Sequence, residues 1–253
     1  MGEAMVKCLL TKGIAVPQDI VVSEVSPLRR ELLSKEYGVN TVADNRKAIK
    51  GAELIILAIK PQDLSEVMEE IKNLSPEQVV LSIVAGASLD SLCKGLNHRR
   101  MIRAMPNMPA QIGEGMTVWT TSVEVSQKQK EMAQSILSAL GEGIYVPDEK
   151  YLDMATALSG SGPAYVFLFI EALIDAGVHI GLPRDTAQKL VIRTLLGSTH
   201  AVQNTGKHPA ELRSMVTSPG GTTTEALLRL ERGGFRSVLL EAVAAAYDKA
   251  KQL

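Results

Sequence analysis

The chain has 253 residues, of which 45% are hydrophobic and 22% charged, and its formal net charge is -1. This size is enough for one large or two ordinary domains with packed cores. The balanced charge, with no basic run longer than Arg99–Arg100, gives no electrostatic reason to expect nucleic acid. The longest apolar runs, such as Leu54 to Ile59, fall well short of a membrane span, and the N-terminus has no signal pattern. We therefore expect a cytoplasmic protein in which the isolated Cys8 and Cys93 are not paired.

The first half of the chain alternates between helix and strand patterns. Residues 1–10 have a helical pattern, although a strand should precede such a helix. Strands are predicted at residues 20–24, 54–59, 79–84, 101–104, 116–120 and 143–146, and the two at 54–59 and 79–84 are apolar enough to be buried on both faces. Helices are predicted at residues 27–37, 64–71 and 127–140, and Gly38 ends the first of them. This alternation predicts an α/β fold with a doubly wound, Rossmann-type, mostly parallel sheet.

After Pro147 the chain is helical in pattern to its end, which predicts an all-α C-terminal domain. Pro163, Pro183 and Pro209 mark helix starts, and a glycine pair at 233–234 separates the last helix. The segment 164–176 is apolar almost all round, which implies burial on several sides. A domain of this size cannot easily bury such a helix alone, so we expect contact with another subunit.

Turn residues follow three of the predicted strands, where a doubly wound sheet binds its ligand. They are Ala58-Ile59-Lys60-Pro61, Ala85-Gly86 and the segment 105–109. Each alone is an ordinary Pro/Gly loop, but together they indicate a site. Gly2 at a helix start and Glu24 at the next strand end match the last glycine and the acidic ribose ligand of a dinucleotide-binding fingerprint. That match is weak by itself, because the first two glycines are not in the chain.

A second candidate site lies near the C-terminus, in the stretch 216–230. Pro219-Gly220-Gly221 breaks regular structure, and Thr222 with Glu225 three residues later is typical of a capping box at a new helix. The backbone N–H groups and positive dipole end of such a helix would bind a small carboxylate. The alternative is an ordinary capped turn between two helices.

Three segments, 158–165, 177–184 and 218–223, together closely resemble the pyrroline-5-carboxylate reductase family. The resemblance is nearly full length and extends to residues 1–2, 58–61, 103–109 and 233–236. It implies an enzyme that reduces 1-pyrroline-5-carboxylate to L-proline with NADP(H), or with NAD(H) as a second cofactor, in the last step of proline biosynthesis. It also implies a dinucleotide-binding domain at 1–147 and a helical substrate-binding and dimerisation domain at 148–253. Its partners are then an imine substrate and a second copy in a homodimer, or an oligomer of such dimers, with no nucleic acid, membrane or metal.

The resemblance also assigns site residues. The substrate carboxylate is expected at the loop formed by Ser218, Gly220, Gly221, Thr222 and Thr223, where the N–H groups of Gly221, Thr222 and Thr223 would bind it. The Thr223 hydroxyl is expected to bond the ring nitrogen and is the candidate catalytic side chain, its alternative being a helix-cap hydroxyl. The expected cofactor-binding residues are Met1, Gly2, Glu24, Asn45, Ala58, Ile59, Lys60, Pro61, Asn107, Ser159 and Gly160.

Neighbouring residues in one stretch of the sequence favour different cofactors. A Glu24 carboxylate would bond the ribose 2′-hydroxyl of NAD and repel the 2′-phosphate of NADP. In contrast, Ser26, Arg29 and Arg30 offer a hydroxyl and two cations to that phosphate. We expect both cofactors to be used, with NADPH preferred and a small ratio of kcat/KM between them.

The sequence departs from the family pattern at its beginning, where only Met1-Gly2 remains of an initial strand and glycine-rich turn. We expect that the sequence lacks its true start; the alternative is a lost phosphate cradle. Two other functions stay open: an inactive scaffold that keeps the helical oligomer, and a dehydrogenase of the 3-hydroxyacid type. The latter needs a catalytic Lys on the interdomain helix, but residues 158–176 contain none, and Lys60 is not a substitute. A cofactor-binding titration would test the scaffold.

Overall fold

A computed structural model describes residues 1–252, which pack as two compact units. The first unit contains Met1–Pro163 and the C-terminal segment from Ala246, and the second contains Ala164–Ala245. The first combines strands and helices, whereas the second is helical. The predicted fold class, an α/β doubly wound sheet followed by an all-α region, is confirmed.

Strands and helices alternate as predicted, and the structure adds three short elements that the sequence did not reveal. The strands are β1 (Val21–Ser23), β2 (Asn40–Val42), β3 (Leu54–Leu57), β4 (Val79–Ser82), β5 (Met101–Pro106), β6 (Gly115–Thr121) and β7 (Gly141–Tyr145). The helices before Pro147 are α1 (Gly2–Thr11), α2 (Pro27–Tyr37), α3 (Asn45–Ala48), α4 (Leu64–Glu70), α5 (Leu89–Leu96) and α6 (Gln127–Ser138). Those after it are α7 (Lys150–Ala155), α8 (Gly162–His179), α9 (Arg184–Thr205), α10 (Pro209–Met215), α11 (Thr222–Arg232) and α12 (Phe235–Ala250), with a π turn at Thr156–Gly160 between α7 and α8. The sequence missed β2, α3 and α5, which are too short for a clear period.

The strands form two sheets. β1 and β2 pair in parallel, and β3 to β7 form a five-stranded sheet in chain order. All pairs in the larger sheet are parallel except β5 with β6, which are joined by a connection too short for a parallel crossover. β4 is buried throughout, as predicted, but β3 alternates between half-buried and buried residues. The predicted burial of both β3 faces is therefore wrong, because β3 is an edge strand and not a central one.

Helices cover both faces of the larger sheet. Because successive side chains of a strand lie on opposite faces, each strand contributes to two cores. Ile102 packs into the core that contains Met5 and Leu9 of α1 and Leu137 of α6. Its neighbour Met101 packs into the opposite core, with Leu92 and Leu96 of α5 as buried members. Two cores, one between each face of the sheet and the helices that cover it, are typical of the doubly wound architecture.

The second unit exposes much of its apolar surface. In α8, Phe167 is 48% and Leu168 66% exposed, although the helix pattern predicts burial on several sides. The continuous helical segment Lys150–His179 is also long and apolar enough to cross a membrane by length and composition. This finding rests on the average hydropathy of a segment that polar residues interrupt, so it does not contradict the prediction that the continuous apolar runs are short.

Candidate active site

The helix α11 begins at the glycine pair that the sequence singled out. Gly220 has a φ of 67°, in the left-handed region that favours glycine. Gly221 is the N-cap residue, and because glycine has no side chain, no side-chain hydrogen bond from this residue caps α11. The predicted capping box is therefore wrong: Thr222 lies inside the helix, because the extended backbone of Gly221 starts the helix one residue earlier. The Glu225 N–H donates to the Gly221 carbonyl as the first bond of the helix.

The start of α11 leaves backbone donors available for a ligand. The Gly221 N–H is not among them, because it donates to the Ser218 carbonyl at 3.0 Å. The N–H groups of Thr222 and Thr223 lie in the first turn, where an α-helix offers no acceptor for them. These N–H groups lie at the N-terminus of an eleven-residue helix, where the helix dipole is positive and favours a negatively charged ligand. The structure thus keeps two of the three amide donors that the sequence assigned to a carboxylate.

Two threonine hydroxyls at this turn differ in role. The Thr223 side chain is half-buried, and within residues 1–252 its hydroxyl has no hydrogen bond. The Thr224 hydroxyl donates to the Ser218 carbonyl at 2.6 Å and closes the loop. The sequence alone did not distinguish Thr224, since a hydroxyl that stabilises a loop has the same local pattern as one that binds a ligand. A side chain at position 221 would also clash, because a Cβ there would lie 2.4 Å from the Ser218 Oγ.

The candidate ribose site at the end of β1 is internally hydrogen-bonded. Glu24 Oε1 accepts from the Ser26 N–H at 2.9 Å, and the Ser26 hydroxyl caps α2. Arg29 Nη2 pairs with Glu3 Oε2 at 2.5 Å, and this hydrogen bond lowers the pKa of the Glu3 carboxyl below its ordinary value. Arg30 donates to the backbone carbonyls of Glu24 and its neighbour at 2.6 and 2.9 Å. Both arginines that could bind a phosphate therefore have partners within the protein.

The first turn of α1 packs against the end of β3. A Cβ on Gly2 would lie 3.2 Å from the Ala58 Cβ, so a larger residue would push α1 away from this loop. The remaining predicted residues of the loop, Ile59, Lys60 and Pro61, follow directly, and the chain turns there into a short 3₁₀ helix. Met1 precedes α1 and is 38% exposed. Asn45, at the start of α3 after β2, donates its side-chain N–H to Glu70 Oε2 at 2.6 Å.

The end of β5 is tied to the π turn through Asn107. Its Oδ1 accepts from the Met116 N–H at 2.9 Å, and its Nδ2 donates to the Ser159 carbonyl at 3.2 Å. The Ser159 hydroxyl is buried and has no hydrogen-bond partner in the described chain. The adjacent Gly160 packs near Met105, since a Cβ there would lie 3.5 Å from the Met105 Cε. A buried polar atom without a partner calls for a ligand or a water, and π turns are frequent at functional sites.

The predicted residues thus form three groups. Gly2 lies close to Ala58, Asn107 bonds the carbonyl of Ser159 next to Gly160, and residues 218–221 form a loop that leads directly into Thr222 and Thr223 of α11. Glu24 and Asn45 lie after β1 and β2, each held by its own hydrogen bond. Within residues 1–252, no three His, Cys, Asp or Glu side chains are arranged to hold a metal ion.

Two protein-family models match the chain. The model described as pyrroline-5-carboxylate reductase dimerisation matches residues 149–253, and the model described as NADP oxidoreductase, coenzyme F420-dependent, matches residues 1–86. Among curated relatives, the pyrroline-5-carboxylate reductase of Synechocystis sp. is 44% identical over all of this chain and 94% of its own length. The enzyme of that name from Arabidopsis thaliana is 38% identical over all of this chain and 92% of its own length.

Solved structures give the same picture. The pyrroline-5-carboxylate reductase of Coxiella burnetii superimposes with a TM-score of 0.92, is 36% identical, and the match covers 99% of this chain and 94% of that one. The pyrroline carboxylate reductase of Plasmodium falciparum with NADP bound has a TM-score of 0.91 and 31% identity, over 100% of this chain and 94% of that one.

Proposed function

The chain belongs to the pyrroline-5-carboxylate reductase family, and from that premise we propose how its residues share the reduction of 1-pyrroline-5-carboxylate to L-proline. It is an NAD(P)H-dependent oxidoreductase that acts on a C=N bond in proline biosynthesis. NADPH, when bound, supplies the hydride that adds to the carbon of the protonated C=N bond, while the nitrogen keeps its proton. Such an electrophilic bond needs little activation, so orientation of the substrate dominates the contribution of the protein.

The start of α11 is proposed to bind the substrate carboxylate. The observation that carries this assignment is the pair of first-turn N–H groups on Thr222 and Thr223, placed where no side chain caps the helix. Gly220 and Gly221 give a ligand close access to the backbone, and the Ser218 carbonyl stabilises the turn by accepting two bonds. A carboxylate bound there would be stabilised both by hydrogen bonds and by the helix dipole.

Thr223 is proposed as the catalytic side chain. Its hydroxyl has no partner within the described residues, so it is available to bond the ring nitrogen of the substrate. The structure also weakens the alternative role, because α11 has no side-chain capping bond and Thr223 is not the N-cap residue. The hydroxyl would fix the ring orientation relative to the hydride donor.

The residues of the first unit fit NADP(H). The buried Ser159 hydroxyl has no partner among residues 1–252, as expected for a group that hydrogen-bonds a cofactor. The tight contact of Gly2 with Ala58 keeps the first turn of α1 close to the loop after β3. In this fold the N-terminus of the first helix binds the dinucleotide phosphate. We propose that Met1, Gly2, Asn45, Lys60 and their neighbours 58–61 hold the nucleotide, and that Asn107, Ser159 and Gly160 lie at the nicotinamide.

Use of NAD(H) beside NADP(H) is a further part of the proposal. The Glu24 carboxylate is held by the Ser26 N–H beside the place that a ribose would occupy, where it would repel a 2′-phosphate. Arg29 is neutralised by Glu3, and Arg30 is engaged by backbone carbonyls. These contacts weaken the binding of a 2′-phosphate, so they support a small ratio of kcat/KM between NADPH, the cofactor that the family resemblance favours, and NADH.

The chain forms a homodimer or larger homo-oligomer. We propose that residues 148–253 are the substrate-binding and dimerisation domain, that residues 1–147 bind the dinucleotide, and that dimers can assemble further. The exposed apolar side chains of α8, and of α12 with Leu240 at 72% exposure, support a helical dimer interface. The unpaired thiols of Cys8 and Cys93 support a cytoplasmic location.

Turnover tests this function, and cofactor binding separates its alternatives. Purified protein should bind NADPH in a fluorescence titration and form L-proline from 1-pyrroline-5-carboxylate. An inactive scaffold would fail both assays. A dehydrogenase of the 3-hydroxyacid type would bind the cofactor and oxidise a hydroxy acid but leave the imine unchanged.

A further inference from the structure

A buried arginine on β5 lies outside every site described so far. The Arg103 side chain is only 8% exposed, and a buried cation is stable only when it is paired. Arg103 Nη1 donates to Glu149 Oε1 at 2.8 Å, and Nη2 donates to Asp153 Oδ1 at 3.0 Å. The two carboxylates lie one helical turn apart at the start of α7, so a single planar guanidinium holds both.

The same cluster connects a third element. Glu149 Oε1 also accepts from the backbone N–H of Leu89, the first residue of α5, at 2.8 Å. The Glu149 and Asp153 side chains are 29% and 28% exposed, so water screens their mutual repulsion only in part. Arg103 is therefore the cation that lets two acidic residues of α7 pack against the sheet.

The helix that Arg103 holds continues directly into the π turn. The Thr156 hydroxyl donates to the Leu152 carbonyl at 2.7 Å, and the Ser161 N–H donates to the Thr156 carbonyl at 2.8 Å. Further along, the Ser159 carbonyl accepts from Asn107, the residue that follows β5. One strand thus fixes this helix at two points: Arg103 at its start and Asn107 at the π turn.

We propose that Arg103 is a positioning residue for the reduction, because its ion pairs with Glu149 and Asp153 set the place of the π turn. Loss of the cation leaves two partly buried carboxylates that repel each other, and the start of α7 moves away from β5. That movement displaces the Ser159 hydroxyl and strains the hydrogen bond that Asn107 Nδ2 donates to the Ser159 carbonyl. The inference rests on the proposed place of Asn107 and Ser159 at the nicotinamide.

Four variants separate positioning from stability. Arg103→Met removes the cation but keeps an unbranched apolar stem, and Arg103→Lys keeps one charge without the fork that binds two carboxylates. The triple variant Arg103→Met/Glu149→Gln/Asp153→Asn removes the repulsion together with the ion pairs. Arg100→Met is the matched control, since Arg100 directly precedes β5 and its pair with Glu77 is at the surface.

The expected result is a separation between kcat and stability. Arg103→Met should lower kcat by about 10- to 100-fold, the effect of a misplacement of roughly 1 Å, with little change in KM for the imine. Arg103→Lys should fall between this variant and the wild type. The triple variant should regain thermal stability over Arg103→Met without regaining kcat, and Arg100→Met should match the wild type.

Amide hydrogen exchange in the cofactor-free protein gives a readout that does not depend on activity. Arg103→Met, Arg103→Lys and the triple variant should exchange faster at residues 156–161, while β4 stays as protected as in the wild type. If the triple variant has wild-type kcat, or if exchange rises equally in β4, Arg103 serves stability alone and the inference is wrong. An inactive wild type would refute the proposed function, and the exchange pattern would still decide whether Arg103 positions the π turn.

Discussion

Replacement of Thr223 by Val is the sharpest test of the substrate site, because it keeps the side-chain volume and removes one hydroxyl. The Thr223 hydroxyl makes no hydrogen bond within residues 1–252, and α11 has no side-chain cap, so the change leaves no protein group unsatisfied. Folding should therefore be unaffected. The whole loss should appear in catalysis.

The magnitude follows from the bond that is removed. A hydrogen bond to a charged group such as the iminium contributes about 1.5 to 3 kcal/mol. At roughly 1.4 kcal/mol for each factor of ten, kcat/KM should fall about 12- to 150-fold. Steady-state kinetics with NADPH and varied imine measure this ratio.

The control is the same substitution at Thr11, an exposed residue at the end of α1. Thr11→Val should retain wild-type kinetics, and thermal melts should show all three proteins folded. Wild-type kinetics in Thr223→Val, or loss of its fold, would refute the assigned role.

Three further predictions concern the cofactor, the assembly and pH. Glu24→Ser should raise the NADPH:NADH ratio of kcat/KM about fivefold, the effect of a half-exposed charge worth roughly 1 kcal/mol, and an unchanged ratio would show that Glu24 does not bind the ribose. Sedimentation should find at least a dimer at micromolar concentration, because α8 exposes Phe167 and Leu168; a well-folded monomer would contradict the interface. Because Arg29 lowers the pKa of Glu3, this carboxylate stabilises the fold above its ordinary pKa of 4.5, and that contribution is lost as pH falls through the lower folded value. Denaturant titrations should thus show a smaller loss of stability in acid for Glu3→Gln than for the wild type, and parallel losses would show that the Glu3–Arg29 pair has no net effect.

The sequence revealed the parts of the fold that carry a strong local signal. β4 is apolar at every position, so its central place could be predicted, and Gly38 ends α2 in the left-handed conformation expected of a C-terminal glycine. The glycine pair before α11 likewise indicated a helix start with accessible backbone. Its N-cap residue was misplaced because Thr222 and Gly221 are both good N-cap residues, and only the backbone conformation decides between them.

The features that the sequence could not reveal depend on contacts between distant segments. Arg103 lies far along the chain from Glu149 and Asp153, and nothing in its local pattern marks it as buried. The hydrogen bond between Asn107 and Ser159 joins two motifs that the sequence could only list separately. β3 carries an apolar run typical of a central strand, but its pairing on one side only leaves its residues partly exposed. Burial of this kind is set by tertiary packing and not by the local sequence.

Reduction of a cyclic imine by this chain is measured most directly by NADPH absorbance in a mixture of the purified protein with 1-pyrroline-5-carboxylate. We expect that absorbance falls only when protein and imine are both present, that L-proline appears in an amount equal to the NADPH consumed, and that NADH supports a slower reaction. A folded, oligomeric protein that binds NADPH but leaves its absorbance unchanged in the presence of the imine would contradict this expectation.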